Sequence, residues 1–423
     1  MNKFLQLFKI KDLRNKILMV VFLLLVFRLM AAIPIPGVDP GKLREFFASN
    51  QLFGLMNIFS GGALSSLSIM MLGVGPYITA TIILQLLMII FPRLKEVYYE
   101  EGTAGRAKFN RYSRYLTVPL AAVSAYGFLN LLKAQQVITA LTPFNLLMNV
   151  IVITAGSILL MWIGELISEY KIGNGVSLII FAGIVSGLPA GLRSILFSFN
   201  AAALPSYVIF AILAVVVIAG VTFINEGERK IPVSYAKRVR GTKLYGGAAS
   251  YLPLKANQAG VIPIIFAISV LLFPQFIAQA VSIFSVDLSL KLNSLVTNFL
   301  NNTWTYSIIY FLLVVVFTYF YTAITFDPKE IAKNLQQNGG FIPGLRPGLP
   351  TSDFIAKIVT RITLFGSLFL GLIAVLPNIT RIAMGVSAMT IGGTALLIVV
   401  AVALETMKQI DSQLVTREYE GIF

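Results

Sequence analysis

The sequence contains no cysteine and no histidine. Without cysteine there is no disulfide, no thiolate nucleophile and no thiolate metal site, and nothing from which to read a redox compartment. Without histidine the chain lacks the usual general base and proton shuttle, and paired-histidine zinc motifs are excluded. Acidic residues are scarce as well: 18 Asp and Glu stand against 33 Lys and Arg, a formal net charge of +15. Charged residues make up 12% of a chain that is 57% hydrophobic, whereas soluble domains are about 25% charged and roughly 45–50% apolar. This is the composition of an integral membrane protein whose spans form one packed bundle. The excess positive charge suits nucleic acid, anionic lipid or inward-facing loops alike, so its placement decides.

A helix needs about 20 apolar residues to cross a hydrocarbon core of about 30 Å. Runs of that size, uncharged apart from Arg28 in the first, lie near 17–33, 115–132, 146–164, 172–192, 206–224, 257–275, 304–326, 362–377 and 382–404. One longer run remains, Phe46 to Pro92, with 47 uncharged residues. Two crossings there would set Arg93, Lys95, Arg106, Lys108, Arg111 and Arg114 opposite the N-terminal Lys3, Lys9, Lys11, Arg14 and Lys16, against the bias of basic loops to one side. A single crossing keeps them together. The same alternation gathers every other basic residue on that side except Arg28, Lys42, Arg44, Lys133, Arg193, Lys291 and Arg381. Ten spans result, with both termini cytoplasmic. The first apolar segment is too long for a cleaved signal and lacks a small-residue cleavage pattern, so it reads as an anchor.

The long run carries a break. Residues 58–82 read IFSGGALSSLSIMMLGVGPYITATI, with Gly61, Gly62, Gly73, Gly75 and Pro76 inside an otherwise apolar stretch. One crossing uses about 20 of these residues, so the rest re-enters or lies at the interface. Irregular backbone at membrane depth is tolerated only where it is buried in protein or lines water. The glycines therefore flank a short half-helix, about 55–67, folded into the bundle. An external loop suits the Gly and Ser equally. Against it, Phe53, Leu55, Met56, Ile58, Phe59, Leu64, Leu67, Ile69, Met70 and Met71 would expose a large apolar surface.

Eight stretches carry a resemblance: IPIPG at 33–37, MNIFSGGALS at 56–65, PYITATIILQLL at 76–87, GNGVSLIIFAGIVSGLP at 173–189, YAKR at 235–238, LPLKANQAGVIPIIFA at 252–267, GGFIPGLRPG at 339–348 and GGTALLIVV at 392–400. In this order and at these spans and loops they resemble the SecY family, the central subunits of protein-conducting channels. The resemblance implies an all-α integral membrane protein of ten transmembrane helices in two pseudo-symmetric halves of five, around an hourglass pore closed by a re-entrant plug. It divides the chain into a cytoplasmic N-terminus 1–16, a first half 17–192, an external hinge loop 193–205, a second half 206–407 with cytoplasmic loops about 225–256 and 327–361, and a cytoplasmic tail 408–423.

The same resemblance assigns site residues. Phe59, Ser60, Gly61, Gly62, Ala63 and Leu64 fall in the plug, while Ile78, Ile82, Val176, Ile180, Ile265 and Ile398 form the pore ring. An apolar constriction excludes ions by dewetting without holding any one passing side chain. Ile78 with Ile82, and Val176 with Ile180, are i,i+4 pairs on one helix face, a spacing that also suits plain core or a lipid-facing surface. Some members carry an arginine near the position of Ser66; this chain has none, which leaves a charge-based latch on the plug without its residue. Thr81, Gln85 and Asn257 are candidates for interhelical bonds at a lateral gate. Arg238, Arg240, Lys243 and Arg346 are candidates for contact with a motor or ribosome. Implied partners are SecE and SecG-type small subunits, the SecA ATPase, the ribosome, signal peptides with unfolded preproteins, and membrane lipid. The resemblance implies the plasma membrane, no cofactor and no enzymatic chemistry.

Two other classes compete. A secondary transporter also breaks helices at mid-membrane, but such proteins bury ionisable groups along the path. Here only Arg28 lies clearly within a span, with Glu165, Glu169 and Glu405 near span ends. An intramembrane enzyme lacks its histidine, cysteine and buried carboxylates, and no nucleotide-binding glycine loop is present. Energy must come from a partner.

Overall fold

A computed structural model describes residues 10–36, 57, 60–64, 66–99, 102–134, 137–138, 142–197, 204–235, 238–240, 243–245, 249–281, 284–384 and 393–420. The helices among them are α1 (Lys11–Ala31), α2 (Gly75–Ile90), α3 (Pro92–Tyr99), α4 (Gly102–Ala134), α5 (Pro143–Glu169), α6 (Gly175–Phe197), α7 (Leu204–Glu226), α8 (Ile262–Val281), α9 (Val286–Asn301), α10 (Thr303–Thr325), α11 (Pro328–Gln337), α12 (Leu349–Met384) and α13 (Gly393–Glu420). The expected spans before 382 each fall on one of them; the span expected at 382–404 lies partly on α13, with 385–392 outside the described residues. Among the described residues, five stretches, 104–133, 143–169, 207–226, 303–337 and 349–376, are long and apolar enough to cross a membrane, and three shorter apolar ones begin at Gly75, Gly175 and Ile262.

Local chemistry sets several boundaries. Thr142 caps α5 by accepting from the Asn145 amide, with Pro143 in the first turn, where its missing N–H costs nothing. Asp327 does the same for α11, accepting from the Lys329 amide ahead of Pro328. Pro119, Pro189 and Pro274 sit inside α4, α6 and α8. Such prolines are tolerated in spans because neighbouring groups satisfy the freed carbonyls. Outward faces are apolar: Val208, Ile209, Ile212, Val215 and Val216 of α7 are all exposed, as a lipid-facing surface requires. On α9 the pattern is inverted, with Ser289 and Asn293 buried and Leu288, Leu295 and Phe299 exposed.

The chain divides into two compact units, one of Met1–Ala201, Ile268–Tyr306 and Val402–Phe423, the other of Ala202–Ala267 and Ser307–Ala401. In the first, Ile35, Leu64, Leu67, Met71 and Leu72 pack with Phe128, Leu129 and Leu132 of α4 and Ile153 of α5. In the second, Ile231, Leu254 and Ile342 pack against Ile355, Ile358 and Val359 at the start of α12.

The second unit holds an element absent from the sequence reading. Strands β1 (Glu228–Tyr235), β4 (Ala249–Lys255) and β5 (Gly340–Phe341) make an antiparallel sheet in the order β4-β1-β5, and β2 (Arg238–Arg240) pairs with β3 (Lys243–Tyr245). Ile231 lies opposite Leu252, and Tyr235 opposite Gly340. The helical architecture stands; the loop expected at about 225–256 is a hairpin on it.

Candidate functional site

The break in the long run is a series of turns. From Ser60 to Leu64 and from Ser66 to Val74 the described backbone shows no helix. Gly61, Gly62 and Gly73 take φ of 63°, 85° and 58°, and Leu67 takes 40°, a left-handed region in which no right-handed helix continues. The expected half-helix is therefore not formed at its described C-terminal part. Phe59 lies outside the described residues.

Ser60 organises the first turn. Its hydroxyl donates to the Asn57 carbonyl at 3.0 Å and accepts from the Leu64 amide at 2.9 Å, while the Gly62 amide donates to the same Asn57 carbonyl at 2.8 Å. Gly61 is then pressed onto two helices. A Cβ on Gly61 would stand 2.6 Å from Phe27 Cζ of α1, and one on Gly183 of α6 would stand 2.0 Å from the Gly61 Cα. Backbone therefore meets backbone, which only glycine permits. Arg28 of α1 donates from Nη1 to the Gly61 carbonyl at 2.6 Å, and its guanidinium lies 5.6 Å from the Phe27 ring centroid.

The next residues are held differently. Ala63, Leu64, Leu67, Met70 and Met71 are all buried, as the argument against an external loop requires. The Ile35 amide donates to the Leu67 carbonyl at 2.9 Å, and the Ile69 amide to the Ile33 carbonyl at 3.0 Å. This bridge ties the IPIPG stretch to the segment at Pro34 and Ser68. A Cβ on Gly156 of α5 would meet the Ile69 carbonyl oxygen at 2.2 Å, so α5 closes over the block. Gly75 and Pro76 then open α2.

Of the expected ring residues, Ile78, Ile82, Ile180, Ile265 and Ile398 are buried and Val176 is half-buried. The expected gate polars differ among themselves. Thr81 donates to the Tyr77 carbonyl of its own helix at 2.9 Å, Gln85 keeps a buried Oε1 without a partner among the described residues, and Asn257 donates to Asn225 Oδ1 of α7 at 2.8 Å and to the Gly260 carbonyl at 3.0 Å. Sequence reasoning did not connect Phe27, Arg28, Gly156 and Gly183 with the break. Arg28 had its signal, a lone charge inside a span; the glycines had none beyond their type.

The family model described as SecY matches residues 68–407 of the chain. The chain belongs to the SecY family. It is 44% identical over 443 residues to the protein translocase subunit SecY of Corynebacterium glutamicum, covering 100% of both chains. Its fold is similar to a solved structure described as the plug domain of the SecY protein stabilizing the closed state of the translocation channel, with TM-score 0.64 at 20% identity over 92% of this chain and 90% of that one. It is similar as well to Sec61 in a canine ribosome-channel complex, with TM-score 0.62 at 19% identity over 92% and 90%. Membership of the SecY family and the apolar helices make this a multi-pass membrane protein.

Within this SecY-family chain the loop between β5 and α12 is an exposed turn. Gly344 and Gly348 take φ of 82° and 102°, which frees the backbone around exposed Arg346. The Arg346 carbonyl accepts from the Thr351 hydroxyl at 2.8 Å, so the loop's path is held while its guanidinium stays outside. Arg238 and Arg240 lie on β2, with Arg240 opposite Lys243 of β3.

Proposed function

We infer that the chain is the pore-forming subunit of a protein-conducting channel, passing unfolded secretory polypeptides across the membrane and releasing hydrophobic segments sideways into lipid. The observation that carries this is the full-length match to translocase subunits, joined to a buried, glycine-seated segment inside an uncharged run. In this reading residues 55–67 are the plug, with Ser60, Gly61, Gly62, Ala63 and Leu64 within it, and its movable part ends before Ala63. Ile78, Ile82, Val176, Ile180, Ile265 and Ile398 form the constriction, as branched aliphatics that seal by dewetting. Thr81, Gln85 and Asn257 lie along the lateral gate, where weak polar bonds worth about 0.6–2 kcal/mol close without locking.

The ten segments cross ten times, leaving both termini in the cytoplasm of a cell whose plasma membrane holds the protein. SecE and SecG-type subunits brace the halves. SecA or a translating ribosome supplies the energy, and no catalytic chemistry is assigned to this chain. Arg346 on its exposed turn docks the motor, and the β2–β3 tip with Arg238, Arg240 and Lys243 meets ribosomal phosphate or acidic side chains.

The chain's lack of cysteine makes the test clean. Single cysteines replacing Ile78, Ile180, Ile265 and Ile398, in a channel holding an arrested secretory chain with one thiol, should each crosslink to it. Cysteines replacing Val215 and Phe223, exposed on α7, should not. Crosslinks at the α7 positions with none at the four isoleucines would refute the channel assignment.

A further inference from the structure

We propose that Arg28 and Gly183 form the closed-state seat of the plug, clasping Gly61 between α1 and α6, so that one guanidinium in the first span sets how readily the channel opens. The proposal rests on the plug reading and names the part of the chain that holds the plug shut.

Four observations support it. The Arg28 Nη1–Gly61 carbonyl bond is short, at 2.6 Å, and joins residues 33 apart in sequence. An ionised guanidinium within a span is costly and persists where a partner meets it; here the partner is a backbone oxygen of the segment expected to move. The acceptor is bared because Gly61 has no side chain, adopts φ of 63° and touches Gly183 backbone to backbone. Finally, the seat is separate from the anchored block, since Leu64 onwards is held by the Ile33–Ile35 bridge and by α4 and α5. When Ser60–Gly62 lift away, the guanidinium loses its acceptor and the Leu64 amide loses the Ser60 hydroxyl, while the block from Leu64 onwards keeps the Ile33–Ile35 bridge and its packing on α4 and α5.

The charge sits on the fixed helix and the acceptor on the moving turn. An acceptor on the main chain cannot be removed by changing residue 61, so the fixed side is the one to alter.

The test uses the translocase complex reconstituted in proteoliposomes, reading potassium efflux at rest and export of a precursor with a defective signal sequence. Losing one charge-assisted bond shifts an equilibrium by roughly tenfold or more. Arg28→Leu should therefore raise resting efflux by about that factor and relax signal stringency, with Arg28→Lys falling between it and the parent. Gly183→Ala, whose added carbon would collide with the Gly61 Cα, should do the same with Arg28 untouched. If Arg28→Leu fails to accumulate, Arg28→Lys and Gly183→Ala decide. Parental efflux in these variants overturns the seat.

Each substitution is repeated in a chain lacking residues 57–62. Expected there is a high efflux that Arg28→Leu does not raise further. A further rise means that Arg28 acts elsewhere, which overturns the seat and leaves the plug reading standing. Parental efflux in the deleted chain itself overturns the plug reading and the seat together.

Discussion

Ser60–Gly62 and Leu64–Leu72 are neighbours in the chain, equally free of charge, and they are held in opposite ways. The first is held by one guanidinium bond, by the local Ser60 hydroxyl bonds and by close contact of Gly61 with Gly183 and Phe27. The second is sunk among Phe128, Leu129, Leu132 and Ile153 and bridged through Pro34 and Ser68. Hydrophobic burial is non-directional and grows with area, so a block with Leu67 and Met70 at 0% exposure leaves only at the cost of several buried side chains, each about 1.5–3 kcal/mol. A single polar contact is worth about as much as one of those side chains. The contrast separates a part suited to moving from the part that anchors it, and substitutions on each side can test it.

The largest effect should come from Gly156→Val. Its Cβ would meet the Ile69 carbonyl oxygen at 2.2 Å, a backbone atom of the residue whose amide is bonded to the Ile33 carbonyl. The anchored block would be forced off α5, and the chain should fail to accumulate as folded protein in the membrane. Gly187→Ala in α6, with open space around its added Cβ, should instead be tolerated or gain about 0.5–1 kcal/mol from helix propensity. Comparable membrane levels for Gly156→Val and the parent would show that the block is not clamped as described.

Next comes Leu67, fully buried yet at φ of 40°. Leu67→Ala should cost about 2–5 kcal/mol from the lost side chain and the cavity it leaves. Leu67→Gly removes nearly the same atoms but relieves a left-handed conformation that costs roughly 1–2 kcal/mol. In detergent unfolding the glycine variant should therefore be the more stable of the two, the reverse of the usual order. The usual order, with alanine more stable, would remove the strain from this account.

How much of this was legible beforehand follows from the same contrast. The break at Gly61 and Gly62 could be read, because glycine inside an apolar run signals special backbone. The burial of Leu64 to Met71 could be read from the apolar surface it would otherwise expose. The turns at 60–64 and 66–74 were not, since a helix and a chain of turns bury similar side chains and only the positive φ at Gly61, Gly62, Leu67 and Gly73 tells them apart. Arg28 stood out as a charge in a span, but its partner is a carbonyl, and a main-chain acceptor leaves no mark on composition. Thr81 shows the limit at a single residue: a threonine in a span can satisfy its own helix, as it does at the Tyr77 carbonyl, so its type alone says nothing about a neighbouring helix. The β1–β4 hairpin was hidden by short strands carrying Pro232 and Pro253, a residue that argues against a strand.

The smallest effect, and the sharpest divider, concerns Ser66. Its hydroxyl lies within hydrogen-bond reach of the Ala31 carbonyl at 3.1 Å and of the Ala63 carbonyl at 3.2 Å. Like the Arg28 bond, it links the end of α1 to the break, but here α1 supplies the carbonyl and the donor lies on the anchored side. Because Ser66 is exposed, Ser66→Ala should cost only about 0.5 kcal/mol. That loss should register in detergent unfolding and leave resting potassium efflux at the parental level, whereas Arg28→Leu should move efflux far more than stability. Two side-chain bonds, from Ser66 to the Ala31 carbonyl of α1 and from Arg28 of α1 to the Gly61 carbonyl, would then report separately on the fixed and the movable side. If Ser66→Ala raises efflux as Arg28→Leu does, the boundary at Ala63 is wrong and the whole of residues 60–67 moves as one piece.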